Sequence, residues 1–168
     1  MPRDQVQIRP VLDADRAAVA RFVEAGWGGL VQVAHGTVFR PAELPGFLAE
    51  LAGQQAGGEL AGLLTYVVAD GVLEIVTLNA VRRLAGTGTA LLDHAVAEAG
   101  RRGCREIRLT TTNDNVGALR FYQRRGFRAR RAAARRGGRG EAADQAADPR
   151  AGDHGIPLRD ELDLVRTV

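Results

Sequence analysis

Lysine is absent from the sequence, so all 23 strong bases are arginine. Without lysine the chain can form no lysine Schiff base, anchor no pyridoxal cofactor and build no Walker A loop, whose lysine reaches the terminal phosphates. Cysteine occurs once, at Cys104, which excludes an intramolecular disulfide. Histidine is scarce too: His35, His94 and His154 stand far apart with no metal-ligand spacing, and no metal site is expected. Long hydrophobic runs are missing. No stretch approaches the roughly 20 apolar residues of a membrane helix, and Met1-Pro2-Arg3-Asp4 leads into a short strand, not an apolar signal region. These absences predict a cytoplasmic, soluble protein with no membrane partner.

What is present suffices for one hydrophobic core. The chain has 168 residues, 45% of them apolar, which predicts a single domain over 1–168. A net charge of +3 is modest for this size and does not demand a nucleic-acid partner. The many Ala, Gly and Arg residues read as background composition, so arginine number alone carries no function.

Val6, Ile8 and Val11 mark a first strand, after which Asp13 or Asp15 can cap a helix with Val19, Phe22 and Val23 at helical spacing. Phe47–Leu51 and Leu60–Val68 read as strands around a Gly-rich turn at Gly53–Gly58, and the second is apolar on both faces, as a central strand is. Asp70-Gly71 signals a hairpin into a strand over Val72–Asn79. Leu91, Leu92, Ala95, Val96 and Ala99 define an amphipathic helix ending near Gly103, and Glu106–Thr112 alternates as a strand. Strand, helix, strand in this order makes a crossover, so the two flanking strands are expected to be parallel. Asn115 can cap a helix through Ala118, Phe121 and Tyr122, closed by Gly126, with another strand from Phe127 to Arg131. Residues 132–153 are Ala, Arg, Gly and Asp with few large apolar side chains, which predicts a flexible loop. Strand-like alternation returns over Ile156–Val168 and is expected to pair with the preceding strand.

Arg83-x-x-Gly86-x-Gly88 falls between a strand and a helix, where glycines allow a tight turn and free amides at the helix start converge into an anion cradle. Arg82 or Arg83 can add a guanidinium fork. A dinucleotide fingerprint would need glycine or alanine where Leu91 stands, and Glu106 begins its strand instead of ending it. On its own this segment reads more readily as a glycine-rich turn beside solvated arginines than as a phosphate site.

The ordered series Arg83-Leu84-Ala85-Gly86-Thr87-Gly88-Thr89-Ala90-Leu91-Leu92, then Asn115-x-x-Ala118-x-x-Phe121-Tyr122-x-x-x-Gly126-Phe127, resembles the GNAT superfamily of acetyl-CoA-dependent N-acetyltransferases. The match covers Val72–Phe127, and the strand pattern before it fits the family's start. The tail His154–Leu162 resembles the end of an uncharacterised subgroup of such proteins. The resemblance implies an α/β fold with a mixed, mostly antiparallel sheet, a central parallel strand pair splayed around the coenzyme, and helices on both faces. It implies that Arg82, Arg83, Leu84, Ala85, Gly86, Thr87, Gly88 and Thr89 hold the pyrophosphate of acetyl-CoA. Val76, Thr77 and Leu78 would pair with the pantetheine arm, one amide polarising the thioester carbonyl, and Asn115, Ala118 and Phe121 would complete the coenzyme site.

Transfer from a thioester to an amine also needs a neutral amine and an acid for the departing thiolate. Tyr122 is the expected acid. Glu74 is the expected base: it shares a strand face with Val72, Val76 and Leu78 by alternation, a carboxylate where an apolar side chain would be regular. An edge position facing solvent is the plainer alternative for Glu74, and Asp160, Glu161 and His154 are secondary candidates. His94 reads as a surface helix residue and Cys104 as a half-buried strand-entrance residue. The strand after Gly126-Phe127, which in the family helps wall the acceptor site, here dissolves into Arg and Ala. The acceptor is thus expected to be a small-molecule or peptide amine of unspecified structure, with a homodimer also allowed. Two other functions compete: an arginine-rich nucleic-acid-binding module built on Arg120–Arg139, and a domain that binds acyl-CoA without turnover. Nucleic acid is not expected, because aromatic stacking partners are nearly absent from that run.

Overall fold

A computed structural model describes residues 6–51, 60–81, 86–130 and 152–168. The predicted Gly53–Gly58 turn, Arg82–Ala85 and residues 132–151 of the predicted loop lie outside the described residues. The chain runs β1 (Val6–Pro10), α1 (Arg16–Trp27), β2 (Gln32–Ala34), β3 (Thr37–Phe39), β4 (Gly46–Leu51), β5 (Leu60–Ala69) and β6 (Val72–Ala80). It continues with α2 (Thr87–Arg101), β7 (Glu106–Thr112), α3 (Val116–Gln123), β8 (Arg128–Arg130) and β9 (Glu161–Thr167). Seven strands form one sheet in the order β1-β4-β5-β6-β7-β9-β8, while β2 and β3 make a separate hairpin. Only β6 and β7 pair in parallel among the described strands, as the crossover through α2 predicts. The tail strand starts at Glu161, not Ile156, and inserts between β7 and β8.

Alternation along the strands divides the interior into two layers. Phe47, Ala49, Leu64, Tyr66, Leu73, Ile75, Ile107, Leu109 and Leu164 pack with Leu91, Leu92, Ala95 and Ala99 of α2 and with Tyr122 of α3. Leu48, Leu60 and Leu63 face the other way, onto Val19 and Val23 of α1. β5 serves both layers, which is why its sequence is apolar on both faces. Each fully buried leucine here contributes about 1.5–3 kcal/mol relative to exposure. Asp70 and Gly71 take left-handed φ values of 52° and 71°, as the β5–β6 turn requires. Gly62 lets α2 start close to the sheet: a Cβ there would lie 2.9 Å from the Asn79 carbonyl oxygen, Leu91 Cδ1 and Thr87 Cγ2.

Two local expectations need correction. Asp15 stands at the α1 N-cap position but makes no capping bond. Its carboxylate accepts instead from the Leu12 amide at 2.8 Å and from Arg9 at 2.7 and 2.9 Å, and Arg9 also binds Glu50 on β4. The ion pairs hold β1, β4 and the helix start together, a tertiary demand that displaces the local cap. The second correction concerns Glu74. Thr65 pairs with Thr77 and Tyr66 with Ile75, leaving Val76 as an extra residue in a β-bulge. The bulge breaks the alternation, so Leu78 packs into the α2 layer with Leu73 and Ile75, and Glu74 does not share its face.

Among the described residues, no helix is long and apolar enough to cross a membrane.

Candidate active site

The parallel ladder covers only Val72–Ile75 and Glu106–Leu109. β6 continues to Ala80 and β7 to Thr112 without pairing each other, so a gap opens where the two strands part. The bulge residue Val76 lies at that point. Thr77 is buried, and its hydroxyl meets that of Thr65 at 2.9 Å while accepting from the Thr65 amide at 3.2 Å. These bonds fix the bulge and hold the free edge of β6 against β5.

Past the end of β6 the chain returns into α2. Gly86 precedes the helix with φ 74°, a left-handed conformation suited to glycine. Thr87 follows, buried beside the end of β6, and its Oγ1 has no hydrogen-bond partner among the described residues. The first amides of a helix also lack intrahelical partners, so this corner presents donors and an unsatisfied hydroxyl. Gly88 faces the Phe121 ring, which a Cβ would meet at 3.4 Å. Arg125, one turn after Phe121, stacks on that ring with its guanidinium carbon 3.7 Å from the centroid, donates to the Phe121 carbonyl at 2.8 Å and also bonds the Thr89 hydroxyl. A cationic clasp thus lies beside the α2 N-terminus. Arg82, Arg83, Leu84 and Ala85 of the predicted cradle are outside the described residues. The left-handed glycine, the unpartnered Thr87 hydroxyl and the nearby guanidinium together fit a phosphate-bearing coenzyme.

Asn115 caps α3, its Oδ1 accepting from the Ala118 amide at 3.1 Å. Tyr122 is buried in the α2-side layer, edge-on to Phe121 and Phe127 at 5.0 and 5.3 Å. Burial pushes its hydroxyl well above the ordinary phenol range, so it keeps its proton at neutral pH.

On the sheet face opposite α2, the side chains between the hydrophobic positions form a polar row. Arg108 lies directly across from Glu74 and donates to its Oε2 at 2.7 Å, which raises the arginine further above its usual range. Thr110 follows on β7 and donates to Asp163 Oδ1 on β9 at 3.0 Å. The fifth member is His35, whose Nε2 contacts the Thr110 hydroxyl and lies 3.2 Å from Asp163 Oδ1 and 3.9 Å from Glu74 Oε1. Glu74 is therefore a buried member of an ionic cluster, not an edge residue facing solvent.

Sequence reasoning missed His35, Arg108, Thr110, Asp163 and Arg125. Alternation in β7 and β9 could have flagged Arg108, Thr110 and Asp163 as a polar face. Nothing local marks His35, because its place depends on where a short hairpin docks. The secondary base candidates lie elsewhere: Asp160 and Glu161 are exposed, and His154 occupies an exposed turn with φ 58°. That tail is latched to the β7–α3 loop. Asn113 Oδ1 accepts from the Arg159 and Asp160 amides at 2.9 and 3.0 Å, and Asp114 Oδ2 accepts from the Asp153 amide at 2.9 Å. His94 is exposed on α2 and Cys104 is buried.

Residues 21–127 match the family model "Acetyltransferase (GNAT) family". The chain is 32% identical over 168 residues to the uncharacterised protein YxbD of Bacillus subtilis strain 168, covering 97% of this chain and 99% of that one. Its fold is similar to an IAA acetyltransferase from Bacillus cereus, with TM-score 0.68, 20% identity, 98% of this chain and 100% of that chain. It is also similar to a Bacillus subtilis acetyltransferase in complex with CoA, with TM-score 0.63, 19% identity, 98% of this chain and 99% of that chain. The parted β6–β7 pair, the glycine-led helix and these likenesses agree, and the chain belongs to the GNAT acetyltransferase family, an acyltransferase by fold and sequence.

Proposed function

We propose that the protein transfers an acetyl group from acetyl-CoA directly to a primary amine of a small molecule or a short peptide. The gap between β6 and β7, with the α2 N-terminus at the far end of β6, carries this reading. A strand-like pantetheine arm entering the gap meets the unpaired edge of β6, while the pyrophosphate reaches Gly86–Thr89. Arg82, Arg83, Leu84 and Ala85 belong to the same cradle, Val76, Thr77 and Leu78 to the edge, and Asn115, Ala118 and Phe121 to the wall formed by α3. When bound, the coenzyme supplies an activated acetyl carbonyl.

The chain's own groups supply the rest. A β6 amide at the bulge donates to the carbonyl oxygen, where charge builds as an amine attacks, and a fixed N–H needs no reorganisation to do so. Tyr122 keeps its proton and hands it to the departing thiolate. Glu74 Oε1, the oxygen not engaged by Arg108, holds the acceptor's ammonium group at the apex of the gap. The ammonium first gives up one proton to a base, freeing its lone pair. The amine nitrogen then forms a bond to the acetyl carbon as the carbon–sulfur bond breaks, a second proton leaves nitrogen, and the Tyr122 proton that reaches sulfur is restored to the tyrosine from solvent.

The likeness to a Bacillus subtilis acetyltransferase in complex with CoA supports the coenzyme. Titration with acetyl-CoA tests the reading. A hundredfold excess over Kd stabilises a one-site protein by about 2.7 kcal/mol, or roughly 5–10 °C in melting temperature at this chain length. A panel of primary alkylamines, diamines and peptides with free N-termini, read by release of coenzyme A thiol, then identifies the acceptor. No thermal shift at saturating acetyl-CoA sinks the assignment.

A further inference from the structure

The polar cluster opposite α2 contains a histidine whose ring tautomer is set by its neighbours. We infer that His35 is the proton acceptor for the acceptor amine, an assignment that rests on the acetyl-transfer reading above.

Hydrogen-bond bookkeeping fixes the tautomer. Thr110 has one hydroxyl proton and donates it to Asp163 Oδ1, a carboxylate oxygen that can only accept. The Thr110 oxygen then has only lone pairs to offer His35 Nε2, so Nε2 carries the ring proton. Asp163 Oδ1, 3.2 Å from the same nitrogen, favours that proton too. Nδ1 is left with its lone pair, and among the described residues no hydrogen bond engages it. A carboxylate and a hydroxyl thereby orient one ring nitrogen and free the other, the division of labour that general-base imidazoles need.

Position agrees with role. Thr110 is the first β7 residue beyond the parallel ladder, and Glu74 lies one residue before its end at Ile75. The imidazole therefore sits where β6 and β7 part, and it is reachable, its side chain being 23% exposed. It occupies the two-residue turn of the β2–β3 hairpin with φ 53°, followed by Gly36 at 70°. Asparagine or glycine is the usual residue at such a position, so a histidine there bears a backbone cost, and its ring is committed to a different sheet. The charged groups facing it are Glu74 from β6, Arg108 from β7 and Asp163 from β9. Two carboxylates against one guanidinium leave one excess negative charge, which draws a cationic amine to the apex.

The step balances simply. An ammonium N–H bond breaks and its proton passes to Nδ1, giving the free amine and an imidazolium that later returns the proton to solvent. The amine lone pair is then available for the acetyl carbon.

His35→Asn tests this, because asparagine tolerates the left-handed backbone and keeps a polar side chain. Three readouts are needed: the wild-type imidazole tautomer by 15N NMR, the acetyl-CoA thermal shift, and the pH dependence of kcat/KM for the fastest alkylamine of the panel and for hydrazine. The expected tautomer has Nε2–H. His35→Asn is expected to keep the acetyl-CoA shift but lose about 100-fold or more in kcat/KM for the alkylamine at neutral pH. Its rate should climb about tenfold per pH unit toward the amine's own pKa, where the wild type levels off, since only free amine then reacts. Hydrazine, already neutral at pH 8.5, should lose little at that pH. A wild-type Nδ1–H tautomer, or a variant whose pH profile matches the wild type, overturns the assignment and leaves acetyl transfer standing. A wild type that acetyl-CoA does not stabilise overturns the acetyl-transfer reading and this assignment with it. Thr110→Val guards against misfolding of the hairpin variant: Asp163 alone then holds the Nε2 proton, so the Nε2–H tautomer should persist while the less firmly oriented ring lowers kcat more than it raises KM, and an unchanged kcat overturns the relay.

Discussion

Glu74 and Arg108 lie directly opposite each other in the parallel ladder of β6 and β7, and a 2.7 Å ion pair joins them where the ladder is about to end. The pair leaves Glu74 Oε1 turned toward His35. Glu74→Gln weakens the hold on the guanidinium, whose Nε is already buried without a partner among the described residues. With the Arg108 side chain 32% exposed, the expected loss of stability is about 1–2 kcal/mol, below the cost of breaking a fully buried pair. In kinetics the variant should raise KM for a cationic acceptor several-fold while retaining the shape of the wild-type pH profile. A Glu74→Gln enzyme whose rate follows the amine's own pKa would instead make the carboxylate the base.

Tyr122 combines a buried ring with a hydroxyl that burial keeps protonated. Tyr122→Phe preserves the contacts with Phe121 and Phe127, so stability should change by under about 1 kcal/mol. Turnover should fall at least tenfold, with the acetyl-CoA thermal shift retained, because proton delivery to the thiolate is lost and binding is not. Turnover equal to the wild type's removes the tyrosine from the mechanism.

The parts of this architecture that read out of the chain are those whose cause is local. Asp70-Gly71 turns because both residues accept positive φ, and Asn115 caps α3 because its side chain reaches an amide three residues on. The order of elements from Val72 to Phe127 follows from the same spacing that marks the family. What escaped depends on contacts between distant segments. The face of Glu74 could not be read from alternation, since Val76 becomes a bulge only when β6 is registered against β5. Asp15 is a good cap by type, yet Arg9 and Leu12 claim its carboxylate. His35 joins the site through a hairpin that crosses to β7 and β9, 75 residues along the chain from Thr110.

Gly86 separates backbone strain from coenzyme recognition. Its φ of 74° penalises any side chain, but no atom of the described residues lies within 4 Å of a Cβ built there. Gly86→Ala should therefore cost about 1 kcal/mol and leave most of the acetyl-CoA thermal shift. Gly86→Glu carries the same strain and adds a negative charge at the helix start, so it should abolish the shift. Equal shifts for the two variants would show that no anion binds at this corner.

Acid stability should be governed partly by Asp15. The Arg9 guanidinium, through its hydrogen bond, holds the Asp15 carboxyl below the usual carboxylate range, with the Leu12 amide contributing in the same direction. A carboxyl lowered in the folded state binds fewer protons there than in the unfolded chain. Its stabilisation is complete above the ordinary carboxylate range and drains away as pH falls through that range toward the lower folded value. Glu98, held down by Arg102 and then Arg101, adds the same sign. Screening by solvent limits the Asp15 contribution to about 1 kcal/mol. Asp15→Asn should accordingly lower the urea midpoint at pH 7, while the gap to the wild type narrows on acidification from about pH 5 to pH 3. A gap that stays constant over that interval would mean that the Arg9–Asp15 pair contributes nothing to the pH dependence.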